Sequence, residues 1–135
     1  MVKKILIVDK DVDHSQQMAS QLASRGYDVS CVHDAKQGFV TMETYMPDLI
    51  VMDPDLPDTN GYDFLDSARR SASWRAFVVV TTLGGEFLKK ELEAYERKAD
   101  YFIEKPFRPA RLFTIVDYLI GNITDDERER LGSLI

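Results

Sequence analysis

The chain has 135 residues, 44% of them hydrophobic and 30% charged, which suits one soluble domain that buries its own core and argues against two. A net charge of −6 repels a phosphate backbone, so direct nucleic-acid binding is not expected. No apolar run approaches the about 20 residues of a membrane span, and Ile5 to Val8 is too short for a signal-peptide core, so the expected setting is the cytoplasm. The single cysteine, Cys31, has no disulfide or metal-ligand companion and reads as a buried core thiol.

Strand and helix patterns alternate along the chain. Lys4 to Asp9 is apolar and β-branched, as a central strand is. Asp11 or Asp13 is placed to cap a helix that carries Met18 and Leu22 on one face and stops at Gly26. Tyr27 to Val32 alternates as a second strand. Asp34 then caps a helix turning Ala35, Gly38, Phe39 and Met42 inward and ending before Pro47. Leu49 to Met52 is an unbroken apolar run that ends in Asp53 and breaks into Pro54, Asp55, Leu56, Pro57 and Asn60-Gly61, a buried strand delivering a carboxylate into a loop. Phe64, Leu65 and Ala68 fall at helical spacing. Phe77 to Val80 is a fourth buried strand ending in Thr81-Thr82, with a turn at Gly84-Gly85. Leu88, Leu92 and Tyr95 then mark the inner face of a charged helix. Ala99 to Ile103 is strand five, closed by Glu104-Lys105-Pro106-Phe107. A last helix presents Leu112, Ile115, Val116, Leu119 and Ile120, up to Gly121. Regular alternation with short loops predicts a doubly wound α/β domain over residues 1–121, its parallel sheet covered by helices on both faces.

Residues 122–135 depart from this rhythm. Thr124 followed by Glu127 matches a capping box, and the segment reads either as a surface extension or as a linker helix. His14 and His33 read as surface or capping residues, and Trp74 as a half-buried loop aromatic.

In a parallel sheet the carboxyl ends of the strands share one edge, where open α/β folds place their chemistry. The residues just past each apolar run are Asp9, Lys10 and Asp11, then Asp53 and Asp55, then Thr81 and Thr82, then Lys105. Carboxylates, a hydroxyl and an ammonium gathered there meet the needs of phosphoryl transfer to an aspartate. One carboxylate attacks phosphorus, a hard cation held by oxygens neutralises charge, and the hydroxyl and lysine bind the equatorial oxygens. The loop after strand one offers carboxylates where a flavin or dinucleotide phosphate needs glycine-rich backbone amides.

Four stretches carry a resemblance to a known family. They are Ile5-Leu6-Ile7-Val8-Asp9, Pro47 to Asp53, Leu56-Pro57 with Asn60-Gly61, and Ala99-Asp100-Tyr101-Phe102-Ile103-Glu104-Lys105-Pro106-Phe107. Together they resemble the receiver domain of two-component response regulators, of the chemotaxis-regulator kind, from about Lys3 to Gly121. The resemblance implies a flavodoxin-like five-stranded sheet of order 2-1-3-4-5. It implies that Asp53 accepts a phosphoryl group from a histidine kinase or phosphotransfer protein and that Asp9 lines the acidic pocket. Asp55 would lend its backbone carbonyl to Mg2+, Thr82 or Thr81 would contact the phosphoryl group, and Lys105 would pair with it. Phe102 takes the place of the switch aromatic on the strand-four-to-strand-five face, where an output domain or downstream protein docks. The Lys105–Pro106 bond is expected to be cis. Pairing of two copies through the last strand and helix is left open. The domain would act in signalling, catalysing at most its own phosphorylation and dephosphorylation.

Two departures matter. Receivers usually carry two adjacent acids after strand one, the second a direct metal ligand, and here that second place holds Lys10. A unit pair at about 4 Å is worth roughly 1 to 4 kcal/mol, so affinity for Mg2+ is expected to weaken, or to vanish if Lys10 enters the pocket. Asp11 could rotate in as a substitute ligand, or Lys10 could neutralise Asp53 or a phosphoryl group. The second departure is spacing: Thr82 lies one residue further from Lys105 than the family hydroxyl, and Thr81 two. Strand register favours Thr81, helix economy favours Thr82, and Leu83, which bare counting selects, has no hydroxyl.

Two alternatives follow. A pseudo-receiver, with Asp53 neutralised by Lys10, would serve as a phosphorylation-independent interaction module. A haloacid-dehalogenase-like phosphatase would use Asp53-x-Asp55 as nucleophile and general acid, but needs an acidic pair after the lysine, for which only Asp117 and Asp125-Asp126 are available.

Overall fold

The computed structural model describes residues 1–70, 76–83, 89, 93, 96 and 99–135. Five strands, β1 (Lys4–Val8), β2 (Asp28–Val32), β3 (Leu49–Met52), β4 (Phe77–Leu83) and β5 (Tyr101–Lys105), form one sheet of order β2-β1-β3-β4-β5. Every neighbouring pair is parallel, as the alternation of strands and crossover helices requires. The described helices are α1 (Val12–Ser24), α2 (Ala35–Tyr45), α3 (Gly61–Arg70), α4 (Pro109–Ile120) and α5 (Asp125–Gly132).

The apolar runs of β1 and β3 are buried from end to end because the sheet is covered on both sides, and successive residues feed different cores. Leu6, Val8, Ile50, Met52, Val78 and Val80 pack under Met42 of α2 and Phe64 and Leu65 of α3. Ile5, Ile7, Leu49, Val51, Val79 and Ile103 pack under Met18 and Leu22 of α1 and Leu112, Ile115 and Val116 of α4. Burying each such side chain stabilises by about 1.5–3 kcal/mol, so the two cores fix the strand register and hence which residues reach the carboxyl edge.

Local signals set the helix ends. Asp11, rather than Asp13, caps α1 by accepting from the His14 N–H at 3.0 Å, and Asp34 caps α2 by accepting from Gln37 at 2.7 Å. Gly26 turns the chain out of α1 at φ 95°, a conformation glycine adopts without a Cβ penalty. Met46 closes α2 in the left-handed region just before Pro47, and Pro109 opens α4. The 122–135 segment is not loose: Thr124 and Glu127 form the capping box, and α5 folds back on α4. Arg128 donates to the carbonyls of Tyr118 and Gly121, and Ile135 packs against the second core.

Several boundaries and burials differ from expectation. β4 runs three residues past Val80, since Thr81, Thr82 and Leu83 pair with Ile103, Glu104 and Lys105 of β5, which itself runs two residues past Ile103. Cys31 is only half-buried because β2 is an edge strand, with its thiol near the Ser15 carbonyl. Phe39 does not point fully inward: it is 39% exposed, with its ring 4.8 Å from that of Phe64, which already fills the inner position. Trp74, Gly84-Gly85, Leu88, Leu92 and Tyr95 lie outside the described residues, while Lys89, Glu93 and Glu96 are helical.

Candidate functional site

At the carboxyl edge the chain leaves β1 and β3 side by side. The Asp53 N–H donates to the Val8 carbonyl at 3.0 Å and the Asp9 N–H to the Val32 carbonyl at 3.1 Å, so both acids are held at the rim by sheet-like bonds. Each carboxylate then turns back on its own loop. Asp9 Oδ1 accepts from the Asp11 N–H at 2.9 Å, and Asp53 Oδ1 accepts from the Asp55 N–H at 2.8 Å. The other oxygens converge on one cation: Lys105 Nζ donates to Asp9 Oδ2 at 2.7 Å and to Asp53 Oδ2 at 2.8 Å. Asp9 is 1% exposed, Asp53 6% and the Lys105 side chain 10%, so the triad is largely withdrawn from solvent. Burial of the Lys105 ammonium disfavours its charge, but the hydrogen bonds it donates to Asp53 and Asp9, and their charges, outweigh it and hold the pKa above that of an ordinary lysine. Its peptide bond to Pro106 is cis.

The loop beyond Asp53 is fixed from three sides. Gly61 donates to the Pro54 carbonyl at 2.8 Å, and a Cβ on Gly61 would lie 2.4 Å from Pro54 Cα, so only glycine permits that approach. Leu56 is buried in the first core, and Asn60 Oδ1 accepts from the Tyr62 N–H at 2.8 Å to start α3. Asp58 reaches across to α2, accepting from the Ala35 and Lys36 N–H groups at 2.9 and 3.0 Å, and those two bonds pull its pKa below the usual carboxylate value. The sequence shows Asp58 only as one more turn acid; nothing local marks a helix start 23 residues away as its partner.

The remaining candidates divide. Lys10 does not neutralise Asp53: its Nζ lies 2.6 Å from Asp55 Oδ2 at the solvent rim, with the two side chains 51% and 70% exposed. That hydrogen bond, with the charge of Asp55, raises the Lys10 pKa. Asp11 spends Oδ1 on capping α1. A cavity of about 640 Å3 opens between Asp53, Asp55, Tyr62, Thr82 and Leu83. Thr81 pairs with Ile103 of β5, and two residues after Val79 it lies on the strand face of the second core. Its hydroxyl is buried without a hydrogen-bond partner. Leu83, in register with Lys105, is 64% exposed. Phe102 is 5% exposed and packs in the first core. His33 Nδ1 lies 3.0 Å from the Asp9 carbonyl oxygen, and His14 sits edge-on to Phe107. No acidic pair reaches this edge after Lys105, since Asp117, on α4, accepts from Arg25 and Tyr27, and Asp125 and Asp126 lie exposed in the first turn of α5. The phosphatase alternative therefore lacks its second acidic site.

A parallel sheet of this order is the flavodoxin-like doubly wound fold, and here two acids and a lysine meet over its carboxyl edge. The chain belongs to the response regulator receiver domain family, which it matches over residues 5–117. It is 28% identical over 132 residues to the DNA-binding response regulator MtrA of Mycobacterium tuberculosis strain H37Rv, covering 98% of this chain and 57% of that protein. An uncharacterised 76.5 kDa protein of Thiocystis violacea is 29% identical over 115 residues, 85% of this chain and 17% of its own length. The chain thus spans little more than half, or less, of these curated relatives. Among solved structures, chemotaxis response regulator CheY4 of Vibrio cholerae superposes with a TM-score of 0.82 at 21% identity, over 89% of this chain and all of that one. The receiver domain of NtrX from Brucella abortus gives 0.80 at 26% identity, over 88% of this chain and 99% of its own. The chain is a receiver domain of two-component response regulators, and receiver domains are signalling domains.

Receivers of this family generally bind Mg2+. The residues present here do not fit that ion. The acid that would complete its ligand set is missing: an ammonium, Lys10, stands in that place, and its side chain is paired with Asp55 at the rim. Among the described residues no group of three or more histidine, cysteine, aspartate or glutamate side chains is arranged to hold a metal. No helix among them is long and apolar enough to cross a membrane.

Proposed function

We propose that Asp53 is the phosphoacceptor, taking its phosphoryl group from a histidine kinase or phosphotransfer protein in the cytoplasm. What supports the reading is the bridge of one buried ammonium between Asp53 and Asp9. A carboxylate oxygen of Asp53 forms the new bond to phosphorus while the bond to the donor breaks. Lys105 neutralises the charge that gathers on the transferred oxygens. Thr82 lines the cavity beside Asp53, but we favour Thr81 as the hydroxyl, because its buried donor lacks an acceptor that a phosphoryl oxygen would provide.

Phosphorylation adds a charge of about −1.5 to −2 in a pocket whose lysine already serves two acids. Lys105 then shifts from the Asp9–Asp53 bridge toward the phosphoryl group, and Phe102, three residues earlier on the same strand, carries the change to the β4–β5 face. An output domain or separate downstream protein reads that face.

Incubating the chain with an acyl phosphate and Mg2+ tests this by intact mass. One phosphoryl group is expected, absent from Asp53→Asn. No gain in the unmodified chain, or an equal gain in the variant, would overturn the assignment.

A further inference from the structure

Lys10 is the residue that most separates this pocket from the family pattern, and its charge suggests why it is tolerated. An acid holding a divalent cation contributes one net positive charge to a receiver pocket; Lys10 contributes one by itself. The position is also suitable. Lys10 directly follows Asp9, and its ammonium is held 2.6 Å from the carboxylate of Asp55, the residue whose N–H bonds Asp53 Oδ1. The ammonium therefore waits at the mouth of the site on a partner that is 70% exposed, and such solvated pairs are weak enough to exchange. A phosphoryl dianion on Asp53 competes for it with twice the charge of Asp55, from a less hydrated place.

We infer that Lys10 replaces the divalent cation: it leaves Asp55 to bind the transferring phosphoryl oxygens opposite Lys105, so that Asp53 is phosphorylated without a metal. This rests on Asp53 being the acceptor. With an acyl phosphate as donor, the Asp53 carboxylate forms a P–O bond as the P–O bond to the acyl group breaks. The carboxylate leaving group carries away the electron pair, no proton moves, and total charge is conserved. Lys10 and Lys105 flank the transferred group throughout.

The test is the rate of acetyl phosphate labelling of the full 135-residue chain, read by intact mass, in EDTA and in Mg2+. Rates in the two conditions are expected to agree within about threefold. Lys10→Gln, at an exposed site where folding is safe, is expected to lose at least about tenfold in EDTA, and Lys10→Asp to label only with Mg2+. Calorimetric titration with MgCl2 supplies a readout independent of labelling, with no saturable heat for the unmodified chain and binding in Lys10→Asp. Labelling of the unmodified chain in Mg2+ alone would overturn the inference while leaving Asp53 as acceptor. No labelling in either condition would remove the acceptor reading and the inference with it.

Discussion

The two edges of the sheet use the same residue type for different ends. At the amino edge, Asp48 accepts from the Lys4 N–H at 2.8 Å, and Asp100 accepts from the Val78 N–H at 2.7 Å and from Arg69 at 2.7 Å. Each of these acids ties down the start of a neighbouring strand through a backbone donor, a partner fixed in position. At the carboxyl edge, Asp9 and Asp53 also accept backbone N–H groups, but each leaves its second oxygen to a single shared lysine. Backbone donors fix an acid's geometry. A cation shared by two acids can be drawn away from either by a new charge, which is what a switch needs.

The comparison is most strongly tested by removing the shared cation. Lys105→Met leaves two buried carboxylates facing each other and is expected to destabilise by about 3 kcal/mol at neutral pH in urea unfolding. The folded-state pKa of Lys105 is raised, so its contribution is fully present below the unfolded value near 10.4 and fades as pH climbs through the folded value. The gap between wild type and variant should therefore stay level from neutral pH to about 10 and close above it. A gap that closes instead on the way from pH 7 to 9 would contradict the shared-cation description.

Gly61→Ala tests whether the carboxyl edge depends on its loop. The added Cβ falls 2.4 Å from Pro54 Cα, and about 2 kcal/mol of stability should be lost together with slower labelling of Asp53. At the opposite edge Asp100→Ala should cost about 1 kcal/mol through the lost Val78 and Arg69 bonds, with labelling unchanged, since nothing there touches the site. A labelling defect in Asp100→Ala would erase the distinction between the edges. The smallest effect is expected at Asp58, whose lowered pKa means that its tie to α2 is present above the unfolded value of about 3.9 and lost as pH falls through the folded one. Thermal unfolding of Asp58→Ala should thus trail wild type slightly at neutral pH and match it in acid.

Much of this was legible in the chain alone because each decisive feature was local. An unbroken apolar run followed by an acid marks a buried strand opening onto the rim, and this placed Asp9 and Asp53; the Glu104-Lys105-Pro106-Phe107 break placed Lys105. Strand order and the meeting of these three residues also agree with the sequence reading. Less legible was anything set by pairing across the sheet. The extension of β4 to Leu83 follows from its neighbour β5, and the half-burial of Cys31 follows from β2 lying at the edge. Lys10 was singled out by type, but its choice of Asp55 over Asp53 depends on where two loops end. The reach of Asp58 to the start of α2 is of the same kind.

Borohydride reduction of the phosphorylated chain, followed by peptide mapping, tests the acceptor most directly, because it converts an acyl-phosphorylated aspartate to homoserine and so reports the bond itself. Homoserine at position 53, and at no other acid, is the expected result. Aspartate intact at 53 with homoserine at 9, 55 or elsewhere would contradict it.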